Sequence, residues 1–300
     1  MTLQQLKYVI TIANSTSMNE AAKSLFISQP SLSGALKELE QEIGIELFKR
    51  TNRGIKITPQ GKEFLGYARQ IYEQYELMES KYSAKGRGKK KFGVSTQHYT
   101  FAVNAFIELV KHFGYDEYEF AIYETQTHDV IEDVKNFKSE IGIVYLNEFN
   151  NRVLGKMIED SGLEFNPLFE CDIYVYMWKG HELANKEVIE FDELEPYPCL
   201  SFDQGINNSF YFAEEVMSTY DYKRIIKAND RATMLNLMVG LNGYTLCSGI
   251  ICEALNGSDY VAVPLKSEEK MTIGYIVRKD MSVSSTGKKY IEEIKKYRAL

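Results

Sequence analysis

Three groups of side chains have the types and spacing to do chemistry. Gln29, Ser31, Ser33 and Lys37 crowd together around Pro30. Amides and hydroxyls can bond base edges and a lysine neutralises phosphate, so on one helix face they would suit a nucleic-acid groove. Ser95, Thr96, Gln97 and His98 stand between an apolar run and a helical pattern. Hydroxyl, amide and backbone donors at a helix start hold an anion. Cys171, Cys199, Cys247 and Cys252, with His98, His112, His128 and His181, complete the reactive inventory. None of them shows CxxC or metal-ligand spacing, so neither a metal nor a disulfide framework is expected. Buried apolar thiols are the plain reading, with a redox role for Cys247 and Cys252 left open. The sequence holds no GxSxG, Walker loop, HExxH or dinucleotide-binding GxGxxG, so no catalytic residue and no cofactor is expected.

The elements that must position the first group are legible around it. Leu3, Leu6, Ile10 and Ala13 repeat at helical spacing, and the polar run Asn14-Ser15-Thr16 ends that helix. Ser17 and Glu20 form a capping-box pattern, the serine accepting the Glu20 N–H and the carboxylate reaching back to the Ser17 N–H, which starts a second helix through Ala21, Ala22 and Leu25. Ser28 caps a third, with Gln29 and Pro30 in its first turn and Leu32, Leu36, Leu39 and Ile43 as its buried stripe. Helical rotation then puts Pro30, Gly34, Lys37 and Gln41 on the opposite face, with Gln29, Ser31 and Ser33 beside them. Leu47 to Thr51 and Ile55 to Thr58 flank Asn52-Arg53-Gly54, and Lys49, Arg50, Arg53 and Lys56 make this hairpin a basic wing.

The run from Ala21 to Ser33, continued by Leu39-Glu40, Ile43-Gly44, Leu47-Phe48, Arg50 and Thr58-Pro59-Gln60-Gly61, resembles the N-terminal signature of LysR-type transcription regulators. The resemblance implies a regulator of transcription that binds double-stranded DNA, with Gln29, Pro30, Ser31, Ser33, Lys37, Arg50 and Arg53 at the family's DNA-contacting positions. Gly34 departs from the pattern, standing where members commonly carry Arg, Lys or Gln.

From Pro59 to about Lys85 the pattern is one long helix, in which Phe64, Ala68, Ile71, Tyr75, Met78 and Tyr82 alternate spacings of three and four as a coiled-coil seam does. The seam would pair two copies of the chain, as the family resemblance also implies. Gly86 to Lys91 reads as a hinge. Beyond it, strands are expected at Phe92 to Ser95, Glu119 to Glu124, Ile141 to Tyr145, Cys171 to Trp178, Cys199 to Phe202, Arg224 to Ala228, Tyr244 to Cys247 and Thr272 to Arg278, with helices at Tyr99 to Phe113, Val130 to Phe137 and Thr286 to Tyr297. The fold class is therefore α/β with an all-α-plus-wing head. The resemblance implies a winged helix-turn-helix (1–58), a dimerisation helix with its hinge (59–88) and a two-lobed effector-binding domain like the periplasmic solute-binding proteins (89–300). Lobe I is expected at about 89–165 and 267–300, and lobe II at about 166–266. Ligand contacts are expected from Ser95, Thr96, Gln97, His98 and Tyr145 in one lobe and Ser201, Phe202, Asp203 and Asn229 in the other. A short similarity of Ser95-Thr96-Gln97 to the family's sulfur-assimilation branch implies an effector of sulfur or amino-acid metabolism, anionic or zwitterionic.

Charge agrees with this division of labour. Residues 1–91 carry 15 Lys and Arg against 9 Asp and Glu, whereas the remainder carries 20 against 33. A basic head can bind phosphate that an acidic body repels. No run of apolar residues is long enough to span a membrane, and a cytoplasmic protein without membrane partners is expected. Two other readings stay open on sequence alone: an enzyme, and a DNA-binding protein whose body serves only to oligomerise.

Overall fold

The computed structural model describes residues 1–51, 54–82, 89–114 and 117–299, and the chain divides into two units, Met1–Gly88 and Lys89–Leu300. The first unit runs α1 (Leu3–Ala13), α2 (Met18–Ser24), α3 (Gln29–Ile43), β1 (Phe48–Thr51), β2 (Gly54–Ile57) and α4 (Pro59–Tyr82). Its helix starts follow from capping chemistry. The Ser17 hydroxyl accepts the Glu20 N–H at 3.2 Å. The Glu20 carboxylate reaches back mainly to Thr16, taking its backbone N–H at 2.7 Å and its hydroxyl at 2.6 Å, with the Ser17 N–H contributing less. Val9, Ile12, Leu32, Leu39 and Leu47 fill the core between the helices and the wing.

Two glycines are required by the backbone here. Gly44 ends α3 at φ 73°, a left-handed cap that only glycine takes without strain. At Gly61, in the first turn of α4, an added Cβ would sit 2.2 Å from the Leu47 carbonyl oxygen, so the wing and α4 close on a site with no room for a side chain. Arg53 and residues 83–88 lie outside the described residues, as do the side chains of Arg50 and Tyr82. Of the run read as a hinge, Lys90 and Lys91 instead belong to a strand.

The second unit holds a five-stranded sheet of β3 (Lys90–Thr96), β4 (Tyr118–Glu124), β5 (Ile141–Leu146), β6 (Leu163–Cys171) and β12 (Met271–Arg278), in the order β4-β3-β5-β12-β6. β3 runs parallel to β4 and β5, while β12 is antiparallel to β5 and β6. Helices α5 (Thr100–Lys111), α6 (Thr127–Lys135), α7 (Asn151–Asp160) and α10 (Ser285–Lys295) cover it, so β5 is buried at every position, as a strand covered on both faces must be. The other lobe contains β7 (Tyr174–Trp178) between β10 (Thr245–Cys247) and β11 (Tyr260–Pro264), with β8 (Cys199–Phe202) parallel to β9 (Ile225–Ala228). A bridge between Cys199 and Tyr244 links these two sheets, and α8 (Arg231–Leu241) and α9 (Glu253–Asn256) accompany them.

The expected single strand from Cys171 to Trp178 is two strands of different sheets. β6 pairs with β12 up to Cys171, and β7 begins at Tyr174 against β10 and β11. The chain crosses between lobes at Asp172-Ile173, so the first lobe keeps all of β6 and the expected boundary at 166 falls inside that strand. Asp172, exposed at the crossing, is the one polar residue that marks the break within the expected strand. The chain returns after Pro264, beside the first crossing, where Leu265 N–H donates to Ile173 O at 2.9 Å and Lys270 pairs with Asp172.

Candidate functional site

The first unit presents a polar face on α3. Ser28 caps the helix by accepting the Ser31 N–H at 3.2 Å, and Pro30 sits in the first turn, where its missing N–H costs nothing. Leu32 and Leu39 are fully buried, which turns Pro30, Ser31, Gly34 and Lys37 outward. Gln29 and Ser33 are half-buried and joined, amide to hydroxyl, at 2.7 Å. No acidic residue lies in the first turn, so the positive end of the helix dipole stays uncompensated there. A Cβ built on Gly34 meets nothing within 4 Å. Phe26, in the turn before α3, takes φ 56° and is 95% exposed, so a large aromatic ring is held beside that first turn. The Glu40 carboxylate accepts the Leu47 and Phe48 N–H groups at 2.7 and 3.2 Å and so fixes the start of the wing to α3.

On α4, part of the expected seam is used within the chain itself. Ala68 is 1% exposed and Phe64 packs against the core of the head, while Ile71 and Met78 are 45% and 55% exposed and Tyr75 is half-buried.

In the second unit the segment between β8 and β9 crosses to the other lobe, where it caps α6 and holds the residue just ahead of α5. Neither Tyr99 nor Gln126, the N-cap residues of α5 and α6, caps with its own side chain. The Glu214 carboxylate takes the His98 N–H at 2.8 Å and approaches His98 Nδ1 at 2.9 Å, and Gln204 Oε1 takes the Thr127 N–H at 3.0 Å. Gln204 Nε2 also donates to Glu214 at 3.0 Å. Tyr145 donates its hydroxyl to Ala213 O at 3.1 Å, and Thr127 donates its own to Phe212 O at 2.7 Å. Donors that would suit an external anion are thus held by the chain's own carboxylate and amide.

Beside this contact a pocket opens with a cavity volume of about 80 Å³, reached by His98, Phe202, Glu215, Arg231, Met238 and Ser248 among others. His98 stacks on Phe202 with centroids 3.8 Å apart. Arg231, the first residue of α8, pairs with Glu124 at the end of β4. Glu215 is 6% exposed and accepts the Phe202 N–H at 2.9 Å. Burial first and the Glu214 charge second push its carboxyl up to about 8. Burial also raises the Tyr145 hydroxyl well above its ordinary value, with Glu215 adding to the shift.

Of the residues expected to bind an effector, His98 and Phe202 reach the pocket. The others are placed differently. Ser95 points into its own lobe, donating to Asp133 at 2.6 Å and meeting Ser139 at 2.8 Å. Thr96 donates to the Gln97 carbonyl, and Gln97 is buried between Thr127, Tyr99 and Tyr145. Ser201 and Asp203 are half-buried away from the pocket, and Asn229 is exposed because the cap of α8 is Asp230. Strand β3 runs on to Thr96, one residue past its expected end, so Ser95 and Thr96 lie within the sheet. Glu214, Glu215, Arg231, Met234 and Met238 escaped the sequence reading. The signal available was the pair of acids set between Phe212-Ala213 and Val216-Met217, charges inside an apolar run.

A family model described as bacterial regulatory helix-turn-helix protein, lysR family, matches residues 3–62, and one described as LysR substrate binding domain matches residues 96–299. The uncharacterised HTH-type transcriptional regulator YbhD of Escherichia coli (strain K12) is 24% identical over 96% of this chain and 89% of its own length. The dual regulator OxyR of the same strain is 23% identical over 98% and 95%. A full-length OxyR variant from Pseudomonas aeruginosa superposes with a TM-score of 0.65 at 19% identity, covering 100% of this chain and 95% of that one. Full-length CbnR complexed with its target DNA gives 0.64 at 20% identity, covering 99% and 100%.

Proposed function

Since the chain belongs to the LysR family of bacterial regulatory helix-turn-helix proteins, it is a DNA-binding transcription regulator with an effector-binding domain rather than an enzyme, and we propose which parts do each task. Helix α3 is the DNA reader. Gln29 and Ser33 contact base edges, Pro30 and Ser31 lie close to the DNA backbone, and Lys37, Arg50 and Arg53 neutralise phosphate. The observation that carries this is the outward polar face of α3, free of acid in its first turn, over the sealed Leu32 and Leu39. The exposed Ile71 and Met78, with Tyr75 and Tyr82, pair α4 with a second copy and set two readers side by side.

The effector is a small molecule held at the pocket by His98 and Phe202. Of the anionic or zwitterionic metabolites of sulfur or amino-acid metabolism expected from sequence, the Glu214 cap favours one that carries an amine. Some relatives are named hydrogen peroxide-inducible genes activators. Thiol sensing is disfavoured in this chain: burial holds the Cys171 thiol at about 11 and those of Cys199 and Cys247 at about 12, far from the thiolate such chemistry needs.

DNA recovered with the protein from cells and sequenced supplies the operator for a titration at several salt concentrations. Lys37→Ala should weaken operator and random DNA alike and reduce the salt slope by about 1. Gln29→Ala should change base preference by about 1–3 kcal/mol at one position. Unaltered preference in Gln29→Ala would remove the first turn of α3 from base reading.

A further inference from the structure

We propose that the pocket beside Glu215 is a site for a small organic amine, with the ammonium against the Glu215 carboxylate and the apolar body among Met234, Met238, Leu246 and Ile251. The inference deepens the reading of this pocket as the effector site and rests on it.

Charge decides the class of ligand. Three of the charged or chargeable side chains that reach the pocket have partners in place. His98 and Glu214 face one another at 2.9 Å, and Arg231 is engaged with Glu124 on the opposite lobe. Glu215 is held by backbone donors, the Phe202 N–H on Oε1 and its own N–H, with the Lys227 charge as a weaker favourable influence. A buried carboxylate in that position costs free energy that a cation bound beside it would recover. An anion would meet the Glu214 carboxylate and, above about pH 8, that of Glu215 as well, and the His98 and Thr127 N–H groups are already held by Glu214 and Gln204.

The remaining lining fixes the rest of the ligand. Met234, Met238 and Met271 give an adaptable apolar wall, and Tyr176 and Phe202 add aromatic surface to it. Ser248, Thr245 and Asn256 supply few polar contacts for so much apolar surface. The cavity of about 80 Å³ suits a body of about four carbons.

Calorimetry on the full chain with n-butylamine, butyrate and 1-butanol as probes tests this directly, without DNA. The amine is expected to bind at least tenfold more tightly than either isostere. Glu215→Gln should abolish that preference, and Met238→Trp should block all three by filling the chamber. Preference for butyrate, or equal binding of amine and alcohol, overturns the amine class but keeps the pocket as a small-molecule site. Failure of all three probes, or binding that Met238→Trp leaves intact, overturns the pocket itself. Selectivity among probes on the parent protein decides the matter even if a variant does not fold.

Discussion

The polar face of α3 and the contact between the lobes hold similar chemistry in opposite conditions. Around α3 Pro30, Ser31, Lys37 and the positive helix end face outward, and the nearest acid that the helix employs, Glu40, is spent on the wing. Between the lobes the equivalent donors, the His98 and Thr127 N–H groups, are already bonded to Glu214 and Gln204. A site facing a polyanion gains from leaving its positive end free of acid, because the partner brings charge in excess. A site that senses a small molecule gains from an internal occupant, since a ligand then shifts a balance rather than filling a void.

The comparison can be broken first where its effect is largest. If the head works as a pair of readers, Ile71→Lys places two like charges across the α4 seam and should weaken dimerisation by about 3 kcal/mol, more than a hundredfold, with operator binding falling in parallel. Sedimentation that found the variant as firmly dimeric as the parent would move the interface off α4.

A second test sharpens the description of the buried side. Glu215 has its pKa raised in the folded chain, so its proton stabilises the fold fully below the unfolded carboxyl value, and that stability is lost as pH rises toward about 8. Glu215→Gln keeps an acceptor for the Phe202 N–H without the charge. The variant should match the parent in thermal unfolding near pH 4 and exceed it by a few kcal/mol at pH 9. A difference that stays flat with pH would mean that water reaches the carboxylate and that the lobes do not seal it.

The smallest effect belongs to Gly34. Alanine there meets open space and should stabilise the helix by about 0.5–1 kcal/mol in thermal unfolding. If the backbone of α3 lies against the groove at this glycine, operator affinity should fall despite the added stability. Unchanged affinity would make Gly34 an ordinary surface residue.

The two regions were unequally legible in the sequence. For α3, Ser28, Pro30 and the Leu32 to Ile43 stripe lie on one helix, so their order along the chain fixes their order in space. Strand β8 was placed at its full extent, Cys199 to Phe202, because turn-forming residues bound it. The pocket draws instead on His98, Phe202, Glu215 and Arg231, which no local period connects. Ser95 and Gln97 illustrate the error that follows. A polar segment at a strand end was read as a ligand loop, yet its partners Asp133, Ser139 and Thr127 come from α6 and its flank, and only the tertiary fold assigns them.

The pairing of the two lobe crossings bears on how this body can move. Ile173 and Leu265 are bonded together beside β6 and β12 at one side of the five-stranded sheet, so the connection behaves as a single pivot. β4 lies three strands beyond β12, about 14 Å at roughly 4.8 Å per strand, and it carries Glu124, the partner of Arg231. With that lever arm, a turn of about 10° displaces the far edge by about 2.5 Å, enough to part an ion pair while hardly disturbing the pivot. Any rotation of one lobe about the crossings would therefore be felt most at Arg231 and least at Ile173 and Leu265.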